Sequence, residues 1–255
     1  MIRRLRRVKE LRRLTIQAAD GDIGNPEELY FDDATWSIRY LVVNTGGWLL
    51  GRRVLLAPAA IKFIDEPTKA IKVALTQEQV RNSPPVDVKK PISRQYEEEY
   101  YRYYGWAPYW GAHVAAEPYP PPPRAIAKAL KEDEVSKDDI RQTHLRSSDE
   151  VTGYYIEARD GEIGHVEELI VDDQDWIVAY FEVDTRNWWP GKKVLVARTW
   201  IDDIRWLERK VRINLERQVI RSAPEYDPSD IISREYELKI FEHYSKHAKS
   251  ADSEE

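Results

Sequence analysis

The chain contains no cysteine, which excludes disulfides, thiolate metal sites and cysteine nucleophiles together. Positive charge is in deficit: Lys and Arg total 39 against 45 Asp and Glu, a formal net charge of −6 with a pI near 5.6. No global basic field therefore exists to draw in phosphate backbones. No apolar run approaches the roughly 18 residues of a membrane-spanning helix. The basic start, MIRRLRRVKELRR, leads into the alternating segment Leu14 to Ala18 and not into the apolar stretch of a secretory signal. These absences point to a soluble, cytoplasmic protein. G-x-S-x-G, H-E-x-x-H and G-x-G-x-x-G are also missing, so the sequence supplies no catalytic residue, cofactor-binding residue or metal ligand set, and the expectation is a protein that is not an enzyme.

What is present is a duplication. With 42% hydrophobic and 33% charged side chains in 255 residues, the chain is long and apolar enough for two compact modules. Leu5 to Tyr104 laid over Leu145 to Tyr244 without a gap gives roughly 35 identities in 100 positions, far above chance. DGDIGNPEELYFDDATW (Asp20 to Trp36) matches DGEIGHVEELIVDDQDW (Asp160 to Trp176), and GRRVLLA (Gly51 to Ala57) matches GKKVLVA (Gly191 to Ala197). The expected organisation is copy one at 1–104, a Pro- and aromatic-rich linker at 105–140, copy two at 141–244 and a polar tail at 245–255.

Asp20-Gly21, Asp32-Asp33, Asn44-Thr45-Gly46-Gly47 and Glu66-Pro67 punctuate short runs of Val, Ile, Leu, Tyr and Trp, a pattern of antiparallel strands. Ile71, Val73 and Leu75 alternate with Lys72 and Ala74, and Val211, Ile213 and Leu215 keep the same register. In the apolar strand Trp36 to Val43, Val42 becomes Glu182 in copy two, which marks that parity as the less buried one. Thr76 with Gln79 forms a capping box for a short helix, and copy two has Glu216, a weaker cap. A second helix is predicted from about Ser93 to Tyr104, with Tyr96, Tyr100, Tyr101 and Tyr104 on one stripe, ended by Gly105. Pro120 to Pro123 suits a semi-rigid spacer.

LRSSDEVTGYYIEARDGEIG (Leu145 to Gly164), DDATWSIRYLVVNTGGWLLGRRVLLAP (Asp32 to Pro58) and SAPEYD (Ser222 to Asp227) together resemble the PRC-barrel family. That is the small β-barrel of the photosynthetic reaction-centre H subunit and of the C-terminal domain of a bacterial ribosome maturation factor. The resemblance spans about 100 residues per copy, with Arg13 standing where copy two has Gly153. It implies a mainly β protein of two small antiparallel PRC-type barrels in tandem, each followed by short α-helices and packed as a pseudo-two-fold pair. It brings no catalytic motif.

Several local patterns read as structure. Gly46 to Gly51 has the glycine spacing of a phosphate loop, but Arg52 stands where its lysine belongs, no Ser or Thr follows, and Arg186 replaces Gly46, so the segment reads as a hairpin turn. The carboxylate pairs Asp32-Asp33 and Asp172-Asp173, near Glu27-Glu28 and Glu167-Glu168, read as turns with a solvated acidic rim. Of the five histidines, His113, His144, His165, His243 and His247, none forms a duplicated ligand cluster, and the His243–His247 pair reads as exposed tail. Trp36, Trp48, Trp176 and Trp188 recur in both copies and read as core, whereas Trp106, Trp110, Trp189, Trp200 and Trp206 do not recur.

The function expected is non-catalytic protein docking or scaffolding, which the resemblance links to a membrane electron-transfer complex. Candidate partner-binding residues are Tyr103, Trp106, Tyr109 and Trp110, since Trp and Tyr dominate binding hot spots, although packing within the chain is the favoured reading for them. An alternative is a ribosome- or RNA-associated factor using a basic patch of Arg3, Arg4, Arg6, Arg7, Arg12 and Arg13; against it, seven basic residues within Ile2 to Arg13 read first as a solvated terminus. A second alternative is small-ligand binding in a groove between the barrels. A protein partner is expected, a homo-oligomer is compatible, and no cofactor is called for.

Overall fold

The computed structural model describes residues 3–86, 92–110, 144–185 and 191–251. His113, the Pro120 to Pro123 run, Arg186, Trp188, Trp189 and the last residues of the tail lie outside the described residues. In chain order the elements are β1 (Leu5–Arg7), α1 (Val8–Leu11), β2 (Thr15–Gln17), β3 (Asp22–Asp32), β4 (Ile38–Asn44), β5 (Arg53–Leu56), β6 (Ile61–Asp65), β7 (Ala70–Val73), α2 (Gln77–Arg81) and α3 (Arg94–Tyr104). The second copy follows with β8 (Leu145–Ser147), α4 (Ser148–Val151), β9 (Tyr155–Ala158), β10 (Gly161–Asp172), β11 (Ile177–Asp184), β12 (Lys193–Ala197), β13 (Ile201–Arg205), β14 (Lys210–Ile213), α5 (Arg217–Ser222) and α6 (Arg234–Ala251). The protein is mainly β, with two seven-stranded sheets.

Both sheets share one plan. One runs β5-β4-β3-β2-β7-β6 and the other β12-β11-β10-β9-β14-β13. Along these two paths pairing is antiparallel except at β2–β7 and β9–β14, which run parallel, so the sheets are mixed where antiparallel barrels were expected. Among the described residues the strand order is an open path and not a closed ring.

The seventh strand of each sheet comes from the other copy. β1 pairs antiparallel with β10, Arg6 opposite Val171 and Arg7 opposite Ile170, on the edge away from β11. Reciprocally, β8 pairs with β3. The compact units are accordingly Met1–Leu11 with Ser147–Glu255, and Arg12–Arg146. The N-terminal run is thus not a solvated terminus. From Leu5 it is a strand and a helical turn, with Val8 and Leu11 buried in the second-copy unit.

Local chemistry explains the elements that the copies share. The aspartate of each DG pair caps a helix: Asp20 Oδ1 accepts from the Gln77 amide at 2.7 Å, and Asp160 Oδ1 from the Arg217 amide at 2.8 Å. Thr76 and Gln79 complete the capping box on α2, whereas Glu216 makes no side-chain cap on α5. Gly24 and Gly164 lie where β3 and β10 cross the ends of β4 and β11. A Cβ there would come within 2.0 Å of the Asn44 carbonyl oxygen and 2.1 Å of that of Asp184, so only glycine allows the approach. Ile71, Val73 and Leu75, like Val211, Ile213 and Leu215, are buried as their alternation requires.

One register expectation is corrected. Val42 and Glu182 are both fully buried. Val42 joins a core with Tyr40, Leu55, Ile92 and Tyr100. Glu182 is buried because two cations reach it, Arg7 from the exchanged strand and Lys193 from β12, each with a nitrogen 2.8 Å from a carboxylate oxygen.

Because each unit contains a strand of the other copy, a chain cut at a protease site engineered between positions 111 and 143 should still elute as one species on size exclusion, separating only in denaturant. Two half-sized species in native buffer would contradict the exchange. Arg6→Ala, which leaves the buried Asp173 carboxylate short of its charge partner, should lower stability by about 3–5 kcal/mol, read from urea melts.

Candidate functional site

The residues singled out in the sequence fall into three places. The first is the pair of docking points of the exchanged strands. Arg6 Nε donates to Asp173 Oδ2 at 2.6 Å, the Arg4 amide to Asp173 Oδ1 at 2.8 Å, and the Asp173 amide to the Arg4 carbonyl at 3.0 Å. The other unit repeats this with Arg146 Nε on Asp33 Oδ2 at 3.0 Å, His144 Nδ1 at 3.1 Å from Asp33 Oδ1, and the Asp33 amide on the His144 carbonyl at 3.0 Å. The hydrogen bond to the Asp33 carboxylate holds the His144 imidazole above its ordinary pKa. Arg3 bonds Asp172 and grips Glu237 at 2.8 and 3.2 Å. Of the basic candidates, Arg3, Arg6 and Arg7 are thus neutralised by carboxylates, and Arg6 and Arg7 are buried; Arg4 and Arg13 are exposed and Arg12 is half-buried. The acidic pairs are correspondingly not a solvated rim: Asp32, Asp172 and Asp173 are buried. Asp32 and Asp172 also close their turns, accepting from the amides of Ala34 and Thr35, and of Gln174 and Asp175.

The second place lies between the start of β3 or β10 and the end of β4 or β11. In copy one it is an open depression of 590 Å³ lined in part by Asn25, Glu27, Asn44 and Trp48. The hairpin beyond it is the turn expected of Gly46 to Gly51: Arg53 pairs with Glu27 at 2.5 Å, and Arg52 donates to the carbonyls of Arg81 and Ser83. In copy two the corresponding residues are His165, Glu167 and Asp184, with ligand atoms within 4.8 Å of one another. Their types suit a divalent cation. Lys193 already stands there, 3.1 Å from Glu167 and 2.8 Å from Glu182, and lowers the Glu167 pKa through its hydrogen bond. An ammonium thus supplies the positive charge that the carboxylates need. The other histidine pair is bonded to backbone, His243 Nε2 to the Val219 carbonyl and His247 Nδ1 to that of His243, both at 2.8 Å.

The third place is the outer side of the C-terminal helices. Ser93 caps α3 by accepting from the Tyr96 amide, and Gly105, at φ 70°, stops it, as expected from the sequence. Tyrosines fasten each helix to its sheet. Tyr96 and Tyr236 donate to the carbonyls of Pro84 and Pro224, both at 3.1 Å. Tyr100 reaches the Leu55 carbonyl at 3.2 Å, and in copy two Tyr244, one turn further on, reaches that of Leu195 at 3.0 Å.

After Gly105 the chain turns back over α3. Trp106, Tyr109 and Trp110 meet the buried Tyr101 ring at centroid distances of 6.1, 5.9 and 5.2 Å. Arg94 lies 4.4 Å from the Trp110 ring centroid and Arg39 lies 3.8 Å from that of Tyr109. Beneath the strap, Glu97 is fully buried and accepts from the Tyr40 and Tyr109 hydroxyls at 2.9 and 2.8 Å, with Arg94 2.9 Å away. Three of the four aromatic candidates therefore pack within the chain, and Tyr103, partly exposed, donates to the Gln79 carbonyl at 2.8 Å. Two unrepeated tryptophans also pack internally, Trp200 near Tyr244 and Trp206 near Tyr154.

Copy two keeps the helix and lacks the strap. Ser245 replaces Gly105, and α6 runs on to Ala251. Ile231, Leu238 and Phe241 are left exposed at 84%, 48% and 66%. Arg234, Leu238 and Phe241 stand at i, i+4 and i+7, one stripe on the helix, and Ile231 lies three residues before the helix begins. Sequence reasoning missed this stripe, although the loss of the glycine at position 245 was a signal available for it. No family model matches the chain, and no curated protein matches it.

Burial raises the Glu97 pKa above the usual carboxylate range, outweighing its tyrosine and arginine contacts. The native state therefore holds this proton more firmly than the unfolded chain does, and stability is lost as pH rises from the ordinary carboxylate pKa through the raised one. Urea melts across pH should show wild type most stable relative to Glu97→Gln in acid and losing ground towards neutrality. The opposite trend would show that the hydrogen bonds outweigh burial.

Proposed function

We propose that the protein is a non-catalytic docking module, built from two PRC-type barrel copies and engaging a protein partner. The observation that carries this reading is the exposed pair Leu238 and Phe241 on α6, with Ile231 exposed just before the helix. Contiguous apolar surface of this kind, flanked by charged residues, marks interaction sites on proteins otherwise covered by polar groups. The PRC reading is supported by the positions of the resembling motifs. The I-G pair forms a close strand crossing in each copy, and the D-D pair forms a turn that receives a strand. The setting at a membrane electron-transfer complex rests on the resemblance alone. Among the described residues no helix is long and apolar enough to cross a membrane. The RNA reading has less support, because carboxylates neutralise three of its six arginines.

Native extract passed over the immobilised wild-type chain should retain a defined protein through a high-salt wash, and a Leu238→Glu, Phe241→Glu variant should lose it. Ribosomal material alone, washing off with salt, would replace docking with the RNA-linked alternative.

A further inference from the structure

The two copies supply a template for what the α6 stripe receives. On α3 the chain's own strap covers the Tyr101 and Arg94 side of the equivalent face, and Glu98 beside it stays exposed. Tyr101 is 8% exposed beneath Trp106, Tyr109 and Trp110, and Arg94 lies over Trp110. Copy two retains the receiving groups, with Phe241 at the Tyr101 position, Arg234 at the Arg94 position and Glu237 at the Glu97 position. It lacks the covering segment, and Ala179 and Ile240 stand where Arg39 and Tyr100 meet the strap in copy one. Without a glycine to adopt the left-handed conformation that turns the chain back, Ser245 continues the helix and the receiving face stays bare.

We propose that this face docks an aromatic segment of a partner protein, presenting Trp and Tyr in the Trp-x-x-Tyr-Trp spacing of the strap. The inference rests on the docking reading and names the partner's chemistry. Two further differences between the copies set what that partner must offer. Glu98 of copy one is Leu238 in copy two, so the face is more apolar than its template. Glu237 already accepts from the Tyr180 hydroxyl at 3.0 Å and from both terminal nitrogens of Arg3. The carboxylate that takes the Tyr109 hydroxyl in copy one is thus engaged in copy two. Recognition therefore lies in ring contacts with Phe241 and Leu238 and in Arg234 meeting an indole face, not in a hydroxyl–carboxylate bond.

The test uses the full chain and a dye-labelled peptide, GWAPYW, followed by fluorescence anisotropy, with GSAPYS as the control peptide. The wild type should bind GWAPYW saturably and GSAPYS at least about tenfold more weakly. Leu238→Ser with Phe241→Ser, both at exposed positions, should weaken GWAPYW about tenfold, and Arg234→Gln a few-fold, with unchanged circular dichroism. Equal binding by wild type and the serine variant would place the peptide elsewhere, and no binding would remove the aromatic chemistry; either overturns the proposal. A wild-type dimer that the serine substitutions dissolve would give the face to a second copy of the chain and likewise overturn it. If the peptide fails while a partner from extract still depends on Leu238 and Phe241, the docking reading stands and only the aromatic inference falls.

Discussion

Asp33 and Asp173 each take hold of a strand that belongs to the other copy, and the architecture depends on that grip. Each carboxylate binds an arginine side chain of the arriving strand, while the aspartate's own amide donates to a backbone carbonyl there. Side-chain charge and main-chain register are thereby fixed at one residue. A three-residue strand offers little apolar surface of its own, so its position must come from directed bonds. Arg6 and Asp173 are almost fully buried, where an unpaired charge would be costly. The neighbouring aspartates of the same turns, Asp32 and Asp172, close the hairpin beside the arriving strand. Strand exchange and turn formation are therefore one constraint.

The exchange has a consequence at the centre of the second sheet. Position 42 is valine in copy one, and the homologous position 182 is glutamate, with neither exposed. A buried glutamate is tolerated because Arg7 arrives on the exchanged strand and Lys193 stands across from it; the first sheet has Ser147, on the β8 strand, and Arg53 at those positions, and Arg53 pairs instead with Glu27. The two copies thus solve one packing position by apolar contact and by an ion triad, of which the apolar solution is as stable or more so. The triad adds selectivity: only a strand carrying a cation at the position of Arg7 completes it, which tells β1 apart from β8.

Much of the local structure was legible in the sequence because its causes are local. Thr76 with Gln79, Ser93, Gly105 and the alternation around Ile71 act over a few residues and behave as their chemistry dictates. The exchange was not legible, since the partner of Arg6 lies 167 residues away and a short arginine-rich run has no periodicity to betray it. The same distance hid the burial of Glu182 and the buried state of the Asp172-Asp173 pair. The aromatic candidates were visible as a cluster; what could not be seen was that Trp106, Tyr109 and Trp110 already cover their own helix.

That covering gives the divergence of the copies a physical direction. The strap on α3 encloses a buried glutamate whose ionisation burial opposes, so copy one needs the rings and hydroxyl of its own chain to exclude water and supply a donor. In copy two Arg3 provides charge-assisted bonds to Glu237 from outside the helix, and the carboxylate no longer depends on a strap. Once the exchanged N-terminal segment performs that task, the glycine at the helix end can become serine without loss to the interior. The helix lengthens, and the apolar stripe it exposes is free to take on contacts outside the unit.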